Sequence, residues 1–382
     1  MTTPLPVHLI TGLLGSGKTT CLKHLIQQKP TNEHWAILIN EFGEVDIDAS
    51  QLLANPELTE GSSNSLEIKA VSGGCICCTA QLGLVNTLNK LLSQTTKSID
   101  RIWIEPTGLG HPAKIIDALQ QTQFIQPLQL QKIACVVTPL QLTAERWQKS
   151  EVMRDLVNLA DTIILNKTDL ADQQALDSAK TLLKNCYPPK NEIIETQYAD
   201  LTLSTLLKPR TQKGFTLLSQ ILPSNSLQCH TFSDRSLQDI SLKDISLKEH
   251  TDHQQQTLYP QQPFNSSISG TQQCFVSQTD SGELLSMGWI WNNDLQFNRV
   301  KLKAFFTEIG PYIIRAKGLL KTGKEWQLVN WSNEELQFED IAWRQDNRLE
   351  CLFKADNNEA KNRANISIQT LESKIKNTIH NL

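Results

Sequence analysis

The stretch Gly12-Leu13-Leu14-Gly15-Ser16-Gly17-Lys18-Thr19 decides the fold, because it is a full match to the phosphate-binding pattern GxxxxGK[ST]. An apolar run at residues 7–10 precedes it and predicts a buried strand, and residues 20–26 predict a helix with one apolar face. Backbone N–H groups of such a loop, and of the helix that it opens, point at a bound phosphate. The sequence therefore predicts a nucleotide site formed by Gly12, Gly15, Ser16, Gly17, Lys18, Thr19 and Thr20.

Three side chains give this loop its predicted chemistry. Lys18 would supply positive charge to the β and γ phosphates, and the Thr19 hydroxyl suits Mg²⁺. Glu105, in Ile104-Glu105-Pro106-Thr107-Gly108, ends a later strand, where a P-loop enzyme needs an acidic group for the magnesium shell or the attacking water. We predict Lys18 and Glu105 as catalytic residues, with Mg²⁺ at Thr19 and Glu105. The alternative for Glu105 is a simple carboxylate at a strand end.

The first half of the chain alternates short apolar runs with helical patterns. Continuous apolarity is typical of strands in a parallel sheet that is covered on both faces. We predict an α/β nucleotide-binding domain with a mostly parallel, doubly wound sheet, and a ligand at the carboxyl ends of its strands. The predicted strands are residues 7–10, 35–39, 66–71, 102–104, 133–137, 162–165 and 193–195.

The composition changes beyond Leu206, where Ser, Gln and Pro become more frequent. We predict a first domain at residues 1–210 and a smaller α+β domain at 225–355, with a polar loop at about 234–272. This loop should separate strands near 228–232 and 273–276, and order resumes at 284–291, 297–306, 312–320 and 326–331. Residues 356–382 keep helical spacing of apolar side chains and predict an amphipathic helix, packed on its own domain or on a partner.

Asn166-Lys167-Thr168-Asp169 follows the predicted strand 162–165 and is the N-K-x-D arrangement that selects guanine. Its carboxylate can accept from two ring donors of guanine, and adenine lacks that pair. Downstream of a phosphate loop, Asn166, Lys167 and Asp169 therefore predict GTP and GDP as ligands. Gln197-Tyr198-Ala199 lies where a further backbone contact to guanine is expected but is atypical in sequence.

Gly73-Gly74-Cys75-Ile76-Cys77-Cys78 places three thiols within four residues, and thiolates are soft ligands that suit Zn²⁺. Cys75, Cys77 and Cys78 would leave one tetrahedral position open, which favours transfer of the metal over a closed structural site. The alternatives are inert buried cysteines or a redox-active pair.

Acidic and imidazole side chains extend these two candidate sites. The segment from Asn40 to Asp48 carries four carboxylates, among which Glu41 is a candidate catalytic residue that would sense the γ phosphate and magnesium. Glu44 would lend an oxygen to the thiolate-bound metal, and His111 would lend an imidazole. A solvated acidic loop is the alternative for the carboxylates, and a capping role is the alternative for His111. His250 and His253 predict at most a weak, exposed ion site.

Composition narrows the class of protein and its partners. The 382 residues carry a net charge of −4, which favours neither nucleic acid nor an anionic membrane as a partner. No run of about 18 apolar residues occurs, and the first residues lack the basic region of a signal peptide. We expect a cytoplasmic protein. Nine Cys, an odd number, point in a reducing compartment to metal or redox chemistry more than to disulfides.

Taken in order, residues 12–19, 40–43, 73–78, 105–108 and 166–169 resemble the CobW-type metal-chaperone GTPases of the P-loop class. Arg315-Ala316-Lys317-Gly318 is similar to the smaller C-terminal domain of that family. The resemblance implies slow GTP hydrolysis coupled to delivery of a metal, most often zinc, with Cys75, Cys77 and Cys78 as ligands. The chain differs from some members of that family in two respects. It lacks their long C-terminal His run, and residues 1–6 lack the Cys-Pro motif with which some members dock on an aminopeptidase client.

The leading hypothesis is a GTP-dependent zinc metallochaperone that serves a client protein. No arginine is placed to act as a finger, so turnover should be slow unless a client or a second subunit completes the site; a homo-oligomer is one such arrangement. Alternatives are a GTPase that aids insertion of cobalt or nickel into a cofactor or enzyme, and a nucleotide-dependent metal buffer or sensor. A small-molecule kinase is disfavoured by the guanine-selecting tetrapeptide and the thiol cluster.

Overall fold

The computed structural model describes residues 3–39, 66–70, 80–94, 98–106, 112–120, 124–188, 190, 192–208, 227–232, 273–279, 284–354 and 368–379. The chain divides into two compact units, Met1–Arg210 and Thr211–Leu382. The predicted polar loop at 234–272 lies outside the described residues. None of the described helices is long and apolar enough to cross a membrane.

The first unit contains a seven-stranded sheet in the order β3-β2-β4-β1-β5-β6-β7. Every neighbouring pair in it is parallel, so the predicted α/β class is confirmed. All seven predicted strands are present, some of them longer than expected. They are β1 Leu5–Gly12, β2 Trp35–Ile39, β3 Leu66–Ala70, β4 Arg101–Glu105, β5 Leu128–Val137, β6 Thr162–Leu165 and β7 Ile193–Glu195.

Helices of the first unit connect these strands, and several begin at a side-chain cap. Thr143, Ser150 and Asp172 each accept a hydrogen bond from the backbone N–H three residues later, which satisfies a donor that the helix itself leaves unpaired. The helices are α1 Lys18–Gln27, α2 Ala80–Gln94, α3 Pro112–Leu119, α4 Ala144–Lys149, α5 Glu151–Leu159, α6 Gln173–Asn185 and α7 Leu203–Leu207.

Both faces of this sheet are covered, which explains the continuous apolar runs. In β5, Ala134 and Val136 belong to the cluster that α1 and α7 contribute to. Cys135 and Val137 point the other way and belong to the cluster that α5 and α6 contribute to. Strands β2, β3 and β4 lie on one side of β1 in the strand order, and β5, β6 and β7 lie on the other. The order therefore reverses at β1, and the crevice for a ligand should open at the carboxyl end of this strand.

The second unit contains an antiparallel sheet in the order β13-β12-β11-β14-β10-β9-β8. Together with two helices it forms the predicted α+β unit. Its elements are β8 Leu227–Phe232, β9 Gln273–Thr279, β10 Leu284–Trp291, α8 Arg299–Ile309, β11 Ile313–Thr322, β12 Glu325–Ser332, β13 Glu335–Asp340, β14 Asn347–Lys354 and α9 Ile368–Lys376.

One face of the second sheet carries the core of this unit. Met287 and Trp289 of β10 pack in one cluster with Phe306 of α8 and with Leu371 and Ile375 of α9. The helix Ile368–Lys376 therefore packs on its own unit. Within the predicted range of 356–382, the structure describes residues 368–379, and the helix itself spans Ile368–Lys376.

Candidate nucleotide site

The loop between β1 and α1 is shaped by its glycines. Gly12 ends β1, and Gly17 caps α1 with a left-handed φ of 103°. A Cβ on Gly17 would lie 2.4 Å from Nδ2 of Asn166. Both the backbone conformation and the close approach of Asn166 therefore require glycine at position 17.

Hydrogen bonds from charged and amide side chains hold the carbonyl groups of this loop. Lys18 Nζ donates to Leu13 O at 3.2 Å, Lys167 Nζ donates to Gly15 O at 2.9 Å, and Asn166 Nδ2 donates to Ser16 O at 2.8 Å. Peptide groups that are already fixed need little reorganisation when their N–H groups meet an anion. The predicted phosphate loop and the predicted guanine tetrapeptide thus contact each other directly.

The predicted magnesium ligands lie side by side. Thr19 Oγ1, in the first turn of α1, donates to Glu105 Oε1 at 2.8 Å. Glu105 ends β4, the strand next to β1, and is 4% exposed. Hydroxyl and carboxylate oxygens are the ligand types that Mg²⁺ prefers, so this pair fits the ion. Thr20 is exposed on the following position of α1.

The guanine tetrapeptide divides into a buried anchor and an exposed carboxylate. Asn166 is 1% exposed, and its Oδ1 accepts from the backbone N–H of Ala199 at 2.7 Å. Lys167 adopts a left-handed φ of 57°, and the single 3-10 turn Thr168–Leu170 follows. This turn leaves Asp169 exposed, where its carboxylate can accept from a base.

The atypical turn 197–200 closes the other side of the tetrapeptide. Tyr198 and Ala199 both have a φ of 55°, a conformation that non-glycine residues adopt at a cost, and such residues cluster at functional sites. Ala199 is buried against Asn166, while Tyr198 is 73% exposed. Sequence reasoning found this position but not its bond to Asn166.

Gln141 is a contact of the phosphate loop that sequence reasoning missed. Its Nε2 donates to Leu14 O at 2.9 Å from the segment that follows β5. The signal available in the sequence was its place after another strand of the parallel sheet, since all such strands end at the same edge.

A family model for the nucleotide-binding domain described as CobW/HypB/UreG matches residues 6–194. The first unit of this chain belongs to the CobW/HypB/UreG family. The match covers the phosphate loop, Glu105 and the tetrapeptide, which are the parts of the unit that the geometry brings together.

Curated relatives of this CobW/HypB/UreG domain include three proteins with the name zinc chaperone. Zinc chaperone YeiR of Escherichia coli is 43% identical over 162 residues, which are 42% of this chain and 46% of the relative. Zinc chaperone CobW of Pseudomonas aeruginosa is 28% identical over 53% of this chain and 59% of its own length. Zinc chaperone YjiA of E. coli is 29% identical over 61% and 69%. The chain thus spans about half the length of the first relative it matches.

The predicted metal ligands of the CobW/HypB/UreG domain lie outside the described residues. These are Cys75, Cys77, Cys78, Glu44 and His111, and the catalytic candidate Glu41 and the pair His250 and His253 lie outside them as well. Within the residues that the structure describes, no group of three or more His, Cys, Asp or Glu is placed to hold a metal ion.

Four cysteines, Cys21, Cys135, Cys186 and Cys351, are buried and form no disulfide. Burial raises the pKa of Cys135 to about 12, and it also raises the pKa of Cys21 and of Cys351. Thiols with raised pKa values stay protonated at neutral pH and are poor metal ligands.

Proposed function

We propose that this protein is a GTP-hydrolysing metallochaperone that binds zinc at Cys75, Cys77 and Cys78 and transfers it to a client protein. The observation that carries the proposal is the 2.8 Å bond from Asn166 Nδ2 to Ser16 O. It joins a guanine-selecting tetrapeptide to a phosphate loop in a single site. The names of the relatives supply the choice of zinc.

In the proposed reaction, Lys18 balances charge on the β and γ phosphates. Asp169 accepts the two ring donors of guanine, and GTP is favoured over ATP because adenine does not offer this carboxylate the same pair of donors. Mg²⁺ held by Thr19 and Glu105 would neutralise charge on the phosphate oxygens. Glu105 or Glu41 orients the attacking water.

The register of the sheet supports coupling between nucleotide and metal. Ala70 of β3 lies opposite Ile39 of β2, and Ile39 lies opposite Glu105 of β4. Adjacent strands are about 4.8 Å apart, so the end of β3 is about 10 Å across the sheet from the backbone of Glu105. Cys75 follows Ala70 by five residues in sequence. We therefore propose that a change in the magnesium and phosphate contacts is transmitted to the thiol segment through the end of β3.

The test is the zinc affinity of the wild-type protein with a non-hydrolysable GTP analogue and with GDP. Coupling free energies between two ligands are typically about 1 to 3 kcal/mol, so the two affinities should differ by about 5- to 150-fold. Equal zinc affinities in the two nucleotide states would contradict the proposed coupling between GTP hydrolysis and zinc release. Purified protein that holds cobalt or nickel in place of zinc would favour the insertion alternative.

Variants separate the two sites. Lys18→Ala should abolish turnover, and undiminished hydrolysis would overturn the phosphate assignment. Cys77→Ser should weaken zinc binding, since a hydroxyl is a much poorer ligand than a thiolate. Cys186→Ala, which removes a buried thiol outside the predicted ligand set, is the matched control and should bind zinc as the wild type does.

A further inference from the structure

Gln141 bridges the end of β5 and the phosphate loop with both ends of its amide. Nε2 donates to Leu14 O at 2.9 Å, and Oε1 accepts from the backbone N–H of Thr138 at 3.3 Å. The backbone N–H of Gln141 also donates to Thr138 O at 3.0 Å. The side chain is therefore held in one orientation by a turn that is itself hydrogen-bonded.

This bond completes a series along the loop. The carbonyl groups of residues 13, 14, 15 and 16 accept in turn from the side chains of Lys18, Gln141, Lys167 and Asn166. Lys18 belongs to the loop itself, and Lys167 and Asn166 belong to the guanine tetrapeptide. Gln141 ties the loop to β5, a different strand of the sheet.

The peptide group between Leu14 and Gly15 is the one that most needs such a restraint. The Leu14 side chain is 74% exposed. Gly15 has a φ of 73°, and no described atom lies within 4 Å of the position that a Cβ there would take. Because neither packing nor a side chain limits this peptide, it is free to rotate unless its carbonyl group is held.

We propose that Gln141 is a positioning residue for the nucleotide phosphates. By holding Leu14 O, it fixes the Leu14–Gly15 peptide group and so keeps the Gly15 N–H available to the phosphate instead of exposing a repelling carbonyl oxygen. The inference rests on the proposed nucleotide function and adds to it a residue from outside the phosphate loop, the magnesium pair and the tetrapeptide.

The experiment compares Gln141→Ala and Gln141→Glu with Gln131→Ala in the full chain. Gln131 is the matched control, because its Nε2 also donates to a backbone carbonyl, that of Gln129 at 3.4 Å, near the opposite end of β5. The dissociation rates of fluorescent GDP and of a fluorescent GTP analogue are measured by stopped flow. Thermal unfolding without nucleotide reports any general loss of structure.

Gln141→Ala should raise both dissociation rates about tenfold, the size expected for one lost hydrogen bond. Gln141→Glu should raise them further, since its carboxylate cannot donate and would repel both Leu14 O and the phosphates. Gln131→Ala should leave the rates at the wild-type values. The melting temperatures of the Gln141 variants should match that of Gln131→Ala.

Wild-type dissociation rates in both Gln141 variants would overturn the positioning role. A lowered melting temperature with unchanged rates would also overturn it, because the residue would then be structural. A wild-type protein that binds neither nucleotide would overturn the proposed function itself, and with it this inference.

Discussion

At the scale of single residues, Asn166 changes the interpretation of the guanine motif. The sequence predicts that Asn166, Lys167 and Asp169 act together on the nucleotide. In the structure the Asn166 amide is used within the protein, with Nδ2 on Ser16 O and Oδ1 on the N–H of Ala199. Asn166 therefore keeps the two loops in register, and we propose that selection of guanine falls to Asp169.

His8 gives a prediction at the same scale. It is 1% exposed, stacks on Trp103 at a ring distance of 4.2 Å, and its Nε2 lies 2.9 Å from Nη1 of Arg101. Burial, and then the charge of Arg101, lower the pKa of His8 to about 3 from its usual value of 6.5. The unfolded chain takes up a proton below pH 6.5 that the folded chain refuses until about pH 3. The contribution to stability is thus complete above pH 6.5 and is lost as the pH falls through this range.

Because of His8, the unfolding free energy of the wild type should be about 2 kcal/mol lower at pH 5 than at pH 7. The loss is about 1.4 kcal/mol for each pH unit below 6.5. Urea unfolding at the two pH values measures the loss. The His8→Gln variant keeps an acceptor for Arg101 and has no titrating ring. Between pH 7 and pH 5, its unfolding free energy should therefore fall by about 2 kcal/mol less than that of the wild type. An equal loss in the two proteins would contradict the prediction.

At the scale of elements, the sequence predicted strands well where burial alone determines their composition. The buried stretches of the first sheet, such as Trp35–Ile39 and residues 133–137, are continuously apolar because helices cover both faces. β13 and β14 were not predicted. β13 is an edge strand with mostly exposed polar side chains.

β14 is buried although it contains charged residues. Arg348 and Glu350 are each 1% exposed. Arg348 pairs with Asp346 at 2.6 Å, and Glu350 accepts from Ser286 at 2.8 Å. The partner of Arg348 is local, but that of Glu350 lies 64 residues away, so composition and periodicity do not reveal the burial of this carboxylate. Partners that are distant in the sequence also explain why Gln141, and the bond between Ala199 and Asn166, were missed at the nucleotide site.

The glycines of the loop between β1 and α1 give a prediction about the stability of the first unit. Gly17→Ala should destabilise the first unit by about 2 to 4 kcal/mol. Its Cβ would add backbone strain and displace Asn166 Nδ2, 2.4 Å away, from a buried hydrogen bond. Gly15→Ala is the control, since its φ is also positive but its surroundings are open, and it should cost about 1 kcal/mol. Urea unfolding measures both, and similar losses would refute the steric argument.

At the scale of the whole molecule, the two units differ in how they are built. The first has a parallel sheet between two helical layers, with its candidate site at the carboxyl ends of the strands. The second has an antiparallel sheet whose core lies on the face that α8 and α9 cover. Each unit therefore has a hydrophobic core of its own, and the described residues of the candidate nucleotide site all belong to the first.

Separate cores predict two transitions in calorimetric unfolding, and only one of them should respond to nucleotide. A ligand that binds one folded unit at 100 times its dissociation constant stabilises that unit by about 2.7 kcal/mol. For a unit of this size, GDP with Mg²⁺ should raise one midpoint by about 5 to 10 °C and leave the other in place. Lys18→Ala should lose most of the shift, because the ammonium that balances the phosphates is gone. If both midpoints rose together, nucleotide binding would not be confined to the first unit, and the assignment of function to separate units would be wrong.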